Sequence, residues 1–316
     1  MKPNLLISAC DPFRVRCHRR ATPLLLAGLT LMTGTTFVLH AQLTNIQHSV
    51  LLSWPEPTQE QIVVWSTSIN GSIYTPCSEP IFKRFGQMCM TVPATASQQF
   101  FKTVPGRQFV DDFSDAWGPF TNRNTWTPFF QETGEDWFVT NGVLQMIITP
   151  TPLAGFGLAP LGTNAAARLR DFCASVDIVD WAPSGANSSD FALGGRGRIV
   201  SPTYAQGYFG FLTLNADGVP GRVRPWIHTP SGDTYGTAFD LQQFPLPYRL
   251  QYSVVGTRIS FTVLNPATGQ QLVPPVSASS STLPEGFAGF WFQGWVNPGD
   301  SNKISLDNFF VSGMKP

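Results

Sequence analysis

The chain has 316 residues with 20 basic and 20 acidic side chains, so its formal net charge is zero. Charged residues are only 13% of the sequence and aromatic residues another 13%, a balance that excludes a disordered, highly charged protein. The 28 glycines and 27 prolines predict many short strands joined by tight turns.

The first 41 residues predict an export signal. Four arginines, Arg14, Arg16, Arg19 and Arg20, precede an apolar run that ends at Ala41. A basic start, an apolar stretch of about 15 residues and a small residue before the cut are typical of a secretory signal peptide. The run is short for a membrane span. We therefore expect a secreted or cell-surface protein with no transmembrane segment after signal removal.

Cleavage after Ala41 would remove five of the 20 basic residues and one of the 20 acidic ones, leaving a net charge of about −4. No basic stripe for nucleic acid remains. Cys77, Cys89 and Cys173 also remain. In an oxidising compartment Cys77 and Cys89 are the natural disulfide pair, closing a short loop worth about 3 kcal/mol. Cys173 lies among apolar residues and is expected to be a buried free thiol.

Residues 42–105 predict a small β-sandwich module, because short apolar runs alternate there with turn clusters. The segments Leu52-Ser53-Trp54-Pro55 and Phe100-Phe101-Lys102 resemble the first and last strands of a module common in exported bacterial proteins. This immunoglobulin or fibronectin type III-like resemblance implies a spacer without chemistry of its own.

Residues 106–316 predict a larger all-β unit, with residues 106–108 as the joint. Strand-like runs follow one another roughly every eight to fifteen residues, and several adjoin hairpin-type turns such as Asn141-Gly142. The glycine-rich stretch 192–198 lacks the lysine and helix of a phosphate loop, so we interpret it as a turn or bulge into a strand. The unit is large enough for a two-sheet jelly roll.

The order of several short motifs in this larger unit resembles the concanavalin A-like lectin/glucanase superfamily, in its laminin G-like branch. These motifs are Asp111-Asp112-Phe113-Ser114, Trp137 with 141–144, and the stretches 171–178, 248–256 and 306–311. The resemblance implies a jelly roll whose last strand lies beside its first, where relatives often hold a structural calcium. It makes Asp111, Asp112 and Asp307 the candidate calcium ligands. Solvated strand-end aspartates are the alternative.

Catalytic patterns are poorly represented. A glycosidase needs two carboxyl groups about 5–9.5 Å apart, yet the larger unit has only three glutamates and no Glu-x-Asp-x-x-Glu motif. A Gly-x-Ser-x-Gly elbow is also absent, and only His48 and His228 follow residue 41. We expect a protein that is not an enzyme. A hydrolase resembling the 3-keto-disaccharide hydrolases, which share the fold without that motif, remains the alternative.

Strand alternation identifies candidate ligand-binding residues. In GRVRPWIHT it places Arg222, Arg224 and Trp226 on one face, and in FAGFWFQGW it places Trp291 and Trp295 on one face. Flat aromatic rings beside guanidinium and amide donors match the apolar faces and hydroxyls of sugars. These five residues predict binding of a glycan or cell-surface component. Tryptophans buried in the core, or a purely structural surface or adhesion module, are the other readings.

Overall fold

The structure is a computed structural model, and it describes part of the chain. The described residues are 40–44, 47–57, 59–68, 73–79, 81–84, 87–93, 99–114, 118–119, 126–131, 135–149, 154–183, 188–201, 204–294, 296 and 300–316. Most of the predicted signal peptide and Trp295 lie outside them. Within these ranges the only helical segments are short 3-10 turns at Ala165–Ala167 and Ala216–Gly218. None of the described segments is a helix of the length and hydropathy needed to span a bilayer.

Strands make up most of the described chain. The strands of the first unit are β1 (His40–Thr44), β2 (Gln47–Pro55), β3 (Gln61–Ser66), β4 (Thr75–Pro76), β5 (Phe82–Arg84), β6 (Gln87–Pro93) and β7 (Phe100–Asp111). The next group is β8 (Gly118–Pro119), β9 (Thr127–Gln131), β10 (Glu135–Thr140), β11 (Val143–Ile148), β12 (Ala154–Ala159), β13 (Phe172–Pro183), β14 (Ser189–Ser201) and β15 (Tyr204–Leu214). The last group is β16 (Arg222–Thr229), β17 (Gly232–Tyr235), β18 (Phe239–Asp240), β19 (Tyr248–Val255), β20 (Arg258–Leu264), β21 (Val276–Ser279), β22 (Phe287–Gly294) and β23 (Asn302–Met314).

Two large antiparallel sheets form the body of the protein. One has the central order β21-β20-β19-β13-β23-β11-β10-β8, and the other has the order β17-β16-β15-β14-β22-β12-β9 with β18 beside β16. Apolar residues from both sheets meet in one core, which includes Phe172, Tyr252, Phe191 and Phe290. The predicted all-β sandwich class is therefore confirmed.

Turns and bulges follow their residue types. Asn141 and Gly142 both have positive φ (50° and 76°), as a tight two-residue hairpin requires, and they join β10 to β11. The glycine-rich stretch 192–198 lies within β14, where the register with β15 shifts between Gly195 and Arg198. This is the predicted bulge, and it turns the Arg196 side chain inward to bond Asp171 at 3.0 Å.

The small unit consists of two sheets packed around its own apolar cluster. One sheet has the order β1-β2-β6-β5, and β3 pairs with β4 and β7 to form the other. Leu52, Trp54 and Met90 of the first sheet pack against Val63 and Phe101 of the second. This unit is thus a compact β-structure at the edge of the large sandwich.

Strand β7 belongs to both units. Residues 100–105 pair with β3, and residues 106–111 pair with β23, so the predicted joint at 106–108 lies inside a continuous strand. Gly106 stands where β7 exchanges partners. A Cβ there would come within 2.6 Å of the Gly313 carbonyl oxygen and of Ile62 Cγ1. The two units are therefore joined by backbone pairing at a point too crowded for a side chain.

The three cysteines of the described chain are all thiols outside any disulfide, so the predicted Cys77–Cys89 disulfide is not formed. Cys77 packs with Met90 in the cluster between the two small sheets. Cys89 adjoins Met90 on β6, so strand alternation points its side chain to the opposite face. Cys173 is buried, as expected, and its thiol donates a hydrogen bond to the Cys77 carbonyl oxygen at 3.3 Å. The spacing of the two cysteines predicted a disulfide across a short loop, but on β6 the Cys89 side chain points away from the cluster that holds Cys77.

Thiol labelling tests this arrangement. Burial raises the pKa of Cys173 to about 12 and that of Cys77 well above its usual value, so both thiols are poor nucleophiles in the folded state. We expect an alkylating reagent to leave Cys77, Cys89 and Cys173 unmodified until urea is added, and then to label all three. Peptide mass spectrometry with a pre-reduced sample as control gives the readout. A Cys77–Cys89 linked peptide in the unreduced sample would contradict the structure.

Gly106→Ala tests the junction. The added methyl group has backbone and Ile62 against it, so we expect a loss of about 1–3 kcal/mol in the free energy of unfolding. Val110→Thr, on the same strand at a side chain 52% exposed, is the control and should change stability by less than about 0.5 kcal/mol. Urea denaturation of both variants makes the comparison; equal stabilities would show that the junction tolerates a side chain.

Candidate functional site

The eight-stranded sheet turns one face away from the core, and this outer face carries the predicted binding residues. On β16, Val223 and Ile227 are buried in the core, whereas Arg222, Arg224 and Trp226 alternate with them and are only partly buried. On β22, Phe290 and Phe292 enter the core and Trp291 faces out. The parity predictions are confirmed for the described residues of these two strands, whereas Trp295 lies outside them.

Aromatic side chains form a row across this outer face. Direct cross-strand pairs connect Tyr235 to Trp226, Trp226 to Phe211, Phe211 to Ala192 and Ala192 to Trp291. We call Tyr235, Trp226, Phe211 and Trp291 the aromatic row. It runs perpendicular to β17, β16, β15, β14 and β22, a span of four strand spacings or about 19 Å. The small side chain of Ala192 leaves the Phe211 and Trp291 ring centroids 6.1 Å apart.

Trp226 is held between two other rings. Phe211 stacks on it with centroids 4.2 Å apart and an interplanar angle of 11°, and Tyr235 stacks at 5.6 Å and 29°. Because β15 and β17 flank β16 on opposite sides, these rings cover opposite faces of the indole. The indole N–H donates to Thr213 Oγ1 at 2.8 Å. The predicted stacking residue therefore has both faces engaged within the protein.

A polar row runs beside the aromatic one. Arg224 pairs with Thr213, Thr213 with Asp190, and Asp190 with Gln293 in the strand registers. Thr213 Oγ1 donates to Asp190 Oδ1 at 2.5 Å, and Gln293 Nε2 donates to Asp190 Oδ2 at 3.0 Å. We call Arg224, Thr213, Asp190 and Gln293 the polar row. Its amide and hydroxyl groups lie next to the aromatic edges.

Asp190 is the acidic centre of the polar row. Burial raises the pKa of its carboxyl group, and the hydrogen bonds from Thr213 and Gln293 oppose this only in part. A raised pKa makes ionisation costly in the folded protein. The side chain is thus suited to hydrogen bonding and, in principle, to donating a proton.

The cations of the outer face are paired. Arg224 Nη1 lies 2.6 Å from Asp217 Oδ1, and Arg222 Nε lies 3.7 Å from Asp217 Oδ2. His228 Nδ1 lies 2.7 Å from Asp233 Oδ1. Asp217 and Asp233 both sit in or beside turns, where sequence alternation gave no signal for them. Each residue of the predicted row of cations therefore has a carboxylate neighbour, and Arg222 and Arg224 share the same one.

An open groove borders the exposed end of the aromatic row. It has a volume of about 430 Å³ and lies between the end of β17 and the start of β21. Its lining residues are Thr234, Tyr235, Gly236, Thr237, Pro274, Pro275, Val276 and Ser277. We call it the edge groove. No local sequence pattern signals this groove, because it forms where edge strands of two different sheets meet.

The predicted calcium ligands are not assembled as a metal group. Asp111 faces the core, where its oxygens accept from Phe113 N at 2.9 Å and from Trp126 Nε1 at 3.0 Å. Asp112 is exposed and accepts from Ser114. The last strand, β23, does lie beside β7, as expected. In the strand register, however, Asp307 is opposite Asp177 on β13, and Asp111 is opposite Phe309. Among the residues that the structure describes, no three acidic, histidine or cysteine side chains cluster for a metal.

Comparison with known proteins shows distant structural neighbours. No family profile matches the sequence, and no curated protein matches it significantly. The CBM2 module of the evolved Dit of Lactobacillus casei BL23 phage J-1 is 14% identical with a TM-score of 0.43, covering 67% of this chain and 99% of its own. Lectin II from Ulex europaeus is 13% identical with a TM-score of 0.41, covering 66% of this chain and 99% of its own.

A non-specific endo-β-1,3(4)-glucanase from family GH16, SCLam, is also similar in structure. It is 10% identical with a TM-score of 0.46, and the match covers 67% of this chain and 92% of the glucanase. Lectins and a glucanase are thus among the neighbours. At these identities and TM-scores the likeness supports no functional argument. Evidence for function therefore has to come from the residues of this chain.

Asp190→Asn tests the electrostatics of the polar row. The pKa of the native Asp190 carboxyl lies above its ordinary value of 3.8. The protonated carboxyl therefore contributes stability that is fully present below pH 3.8 and is lost as the pH rises through the native pKa. Asparagine cannot ionise, and Gln293 can rotate its amide to accept from it. We expect the variant to gain stability relative to wild type as pH increases from about 4 to 7. Urea denaturation at each pH, with Asp240→Asn as an exposed control, measures this; a pH-independent difference would contradict it.

Proposed function

We propose that this chain is an exported, non-catalytic protein that binds a neutral glycan through the outer face of its eight-stranded sheet. The observation that supports this is the in-register aromatic row with the polar row directly beside it. Sugar rings need an apolar surface for their C–H groups and donors and acceptors for their hydroxyls, and the two rows supply both. The basic and apolar N-terminal segment supports export.

The charge pattern favours a neutral ligand. Asp217 pairs with Arg222 and Arg224, and Asp233 pairs with His228, so the outer face has few cations free to hold an acidic polymer. An anionic polysaccharide would have to compete with these carboxylates for the same side chains. A neutral oligosaccharide would meet the hydroxyl and amide groups without that competition. Calcium is not part of this proposal, since Asp111 and Asp112 are engaged in local hydrogen bonds.

A glycoside hydrolase is the second candidate, and the raised pKa of Asp190 is the observation in its favour. Glycosidases pair such an acid with a second carboxyl no more than about 9.5 Å away. Asp233 lies three strands from Asp190, or about 14 Å across the sheet. Asp190 thus has no suitable partner in Asp233. Asp217, the other carboxylate beside the polar row, is bound by Arg222 and Arg224. Binding without hydrolysis is the function we favour.

A saccharide panel decides between these functions. Purified protein is titrated with cello-, laminari-, xylo-, manno- and chitohexaose, with heparin and polygalacturonate as anionic comparisons, and released reducing ends are assayed in parallel. We expect at least one neutral hexasaccharide to bind and none to be cleaved. Release of reducing ends that Asp190→Asn abolishes would establish the hydrolase instead.

Two variants locate the binding face. Gln293→Ala removes an amide from the polar row and should weaken binding several-fold, because one good hydrogen bond contributes about 1 kcal/mol. Arg258→Ala, at an exposed turn of the other sheet, should leave affinity unchanged. Calorimetric titration compares the two. Equal affinities for both variants would place the ligand elsewhere.

A further inference from the structure

At its β17 end the aromatic row finishes in an exposed ring, that of Tyr235, which a ligand can contact. Trp226 is covered on one face by Phe211 and on the other by Tyr235. Tyr235 stands on the edge strand β17, and its side chain is 61% exposed. Its second face therefore points away from the stack, beyond the last strand of the sheet. A sugar ring approaching this end of the row meets Tyr235 and not Trp226.

The edge groove begins at this ring and is chemically neutral. Its eight lining residues include no acid or base apart from the tyrosine itself. Thr237 and Ser277 bring hydroxyl groups, while Pro274 and Pro275 bring ring C–H surfaces. The lining itself thus offers no counter-charge to a charged peptide or nucleic acid, and the nearby Asp233 carboxylate is already bonded to His228. Hydroxyls beside flat apolar surfaces suit a neutral saccharide.

The groove is also held in place by packing. Gly236 N donates to the Pro225 carbonyl oxygen at 2.8 Å, which ties the chain after β17 back to β16. A Cβ at Gly236 would come within 2.4 Å of Val276 Cγ2, so the two walls approach closely at the groove floor. The Tyr235 hydroxyl donates to Asp233 Oδ2 at 3.3 Å, and Asp233 in turn bonds His228. Ring and walls are therefore positioned before any ligand arrives.

From this arrangement we infer that the edge groove is the principal saccharide subsite, with Tyr235 as the stacking platform and Thr237 and Ser277 as hydroxyl partners. The inference rests on the proposed glycan-binding function and locates it. A linear neutral chain would start in the groove and run along the polar row towards Gln293. Trp226 then supports the Tyr235 ring from behind and does not touch the sugar.

Variants of the groove and of the stack separate these roles. Tyr235→Ala should reduce affinity for the neutral hexasaccharide found in the panel by about tenfold, with only a small drop in the unfolding midpoint because the side chain is largely exposed and loses one stacking contact. Tyr235→Phe keeps the ring and should bind within about threefold of wild type. Trp226→Ala should lower the unfolding midpoint, because it removes the centre of a three-ring stack.

Thr237→Val gives an independent reading, since it removes a groove hydroxyl without touching the ring. It should weaken binding several-fold, and this result stands even if Tyr235→Ala proves unstable. Wild-type affinity in both Tyr235→Ala and Thr237→Val, together with weakened binding in Gln293→Ala, would overturn the edge-groove inference and leave the proposed function intact. Failure of wild-type protein to bind any neutral hexasaccharide would overturn both.

Discussion

The pairing of β7 with β23 is the constraint on which the arrangement of this protein depends. β23 bonds β13 along one edge and, along the other, β11 and then the second half of β7. The first half of β7 belongs to the small unit, so one continuous strand carries that unit on the larger sheet. In the described part of the chain, the small unit pairs outside itself only with β23. Its position covers Cys173 on the larger sheet.

Because β7 joins the small unit to the eleven-stranded sheet, no described strand of the small unit pairs with the eight-stranded sheet, whose outer face carries the aromatic and polar rows. Strand alternation sends one set of side chains to the common core and the other set outward. The antiparallel register then places the outward residues of neighbouring strands side by side, which produces the aromatic and polar rows. Tyr235 ends the row at an edge strand, and the edge groove opens there because β17 and β21 are the outermost strands of their sheets. The fold and the proposed binding surface thus follow from one pairing scheme.

Much of the fold and part of the candidate site were predictable from sequence. The predictions that failed have a common cause, because they depend on how strands are oriented and paired. Period-two patterns correctly assigned the faces of β16 and β22, and the Asn141-Gly142 signal gave a hairpin. These are local properties. The Cys77–Cys89 pairing failed because spacing does not reveal that Cys89 points away from the cluster holding Cys77. The covered faces of Trp226 depend on cross-strand register, which no local pattern encodes.

Amide chemical-shift mapping with a bound neutral hexasaccharide tests the central claim most directly, since it reports the contact surface without altering any residue. We expect the largest shifts in residues 234–237, 276 and 277, since Pro274 and Pro275 have no amide N–H, with smaller ones along β16 and β22. Shifts concentrated on the small unit or on the outer face of the eleven-stranded sheet would contradict it.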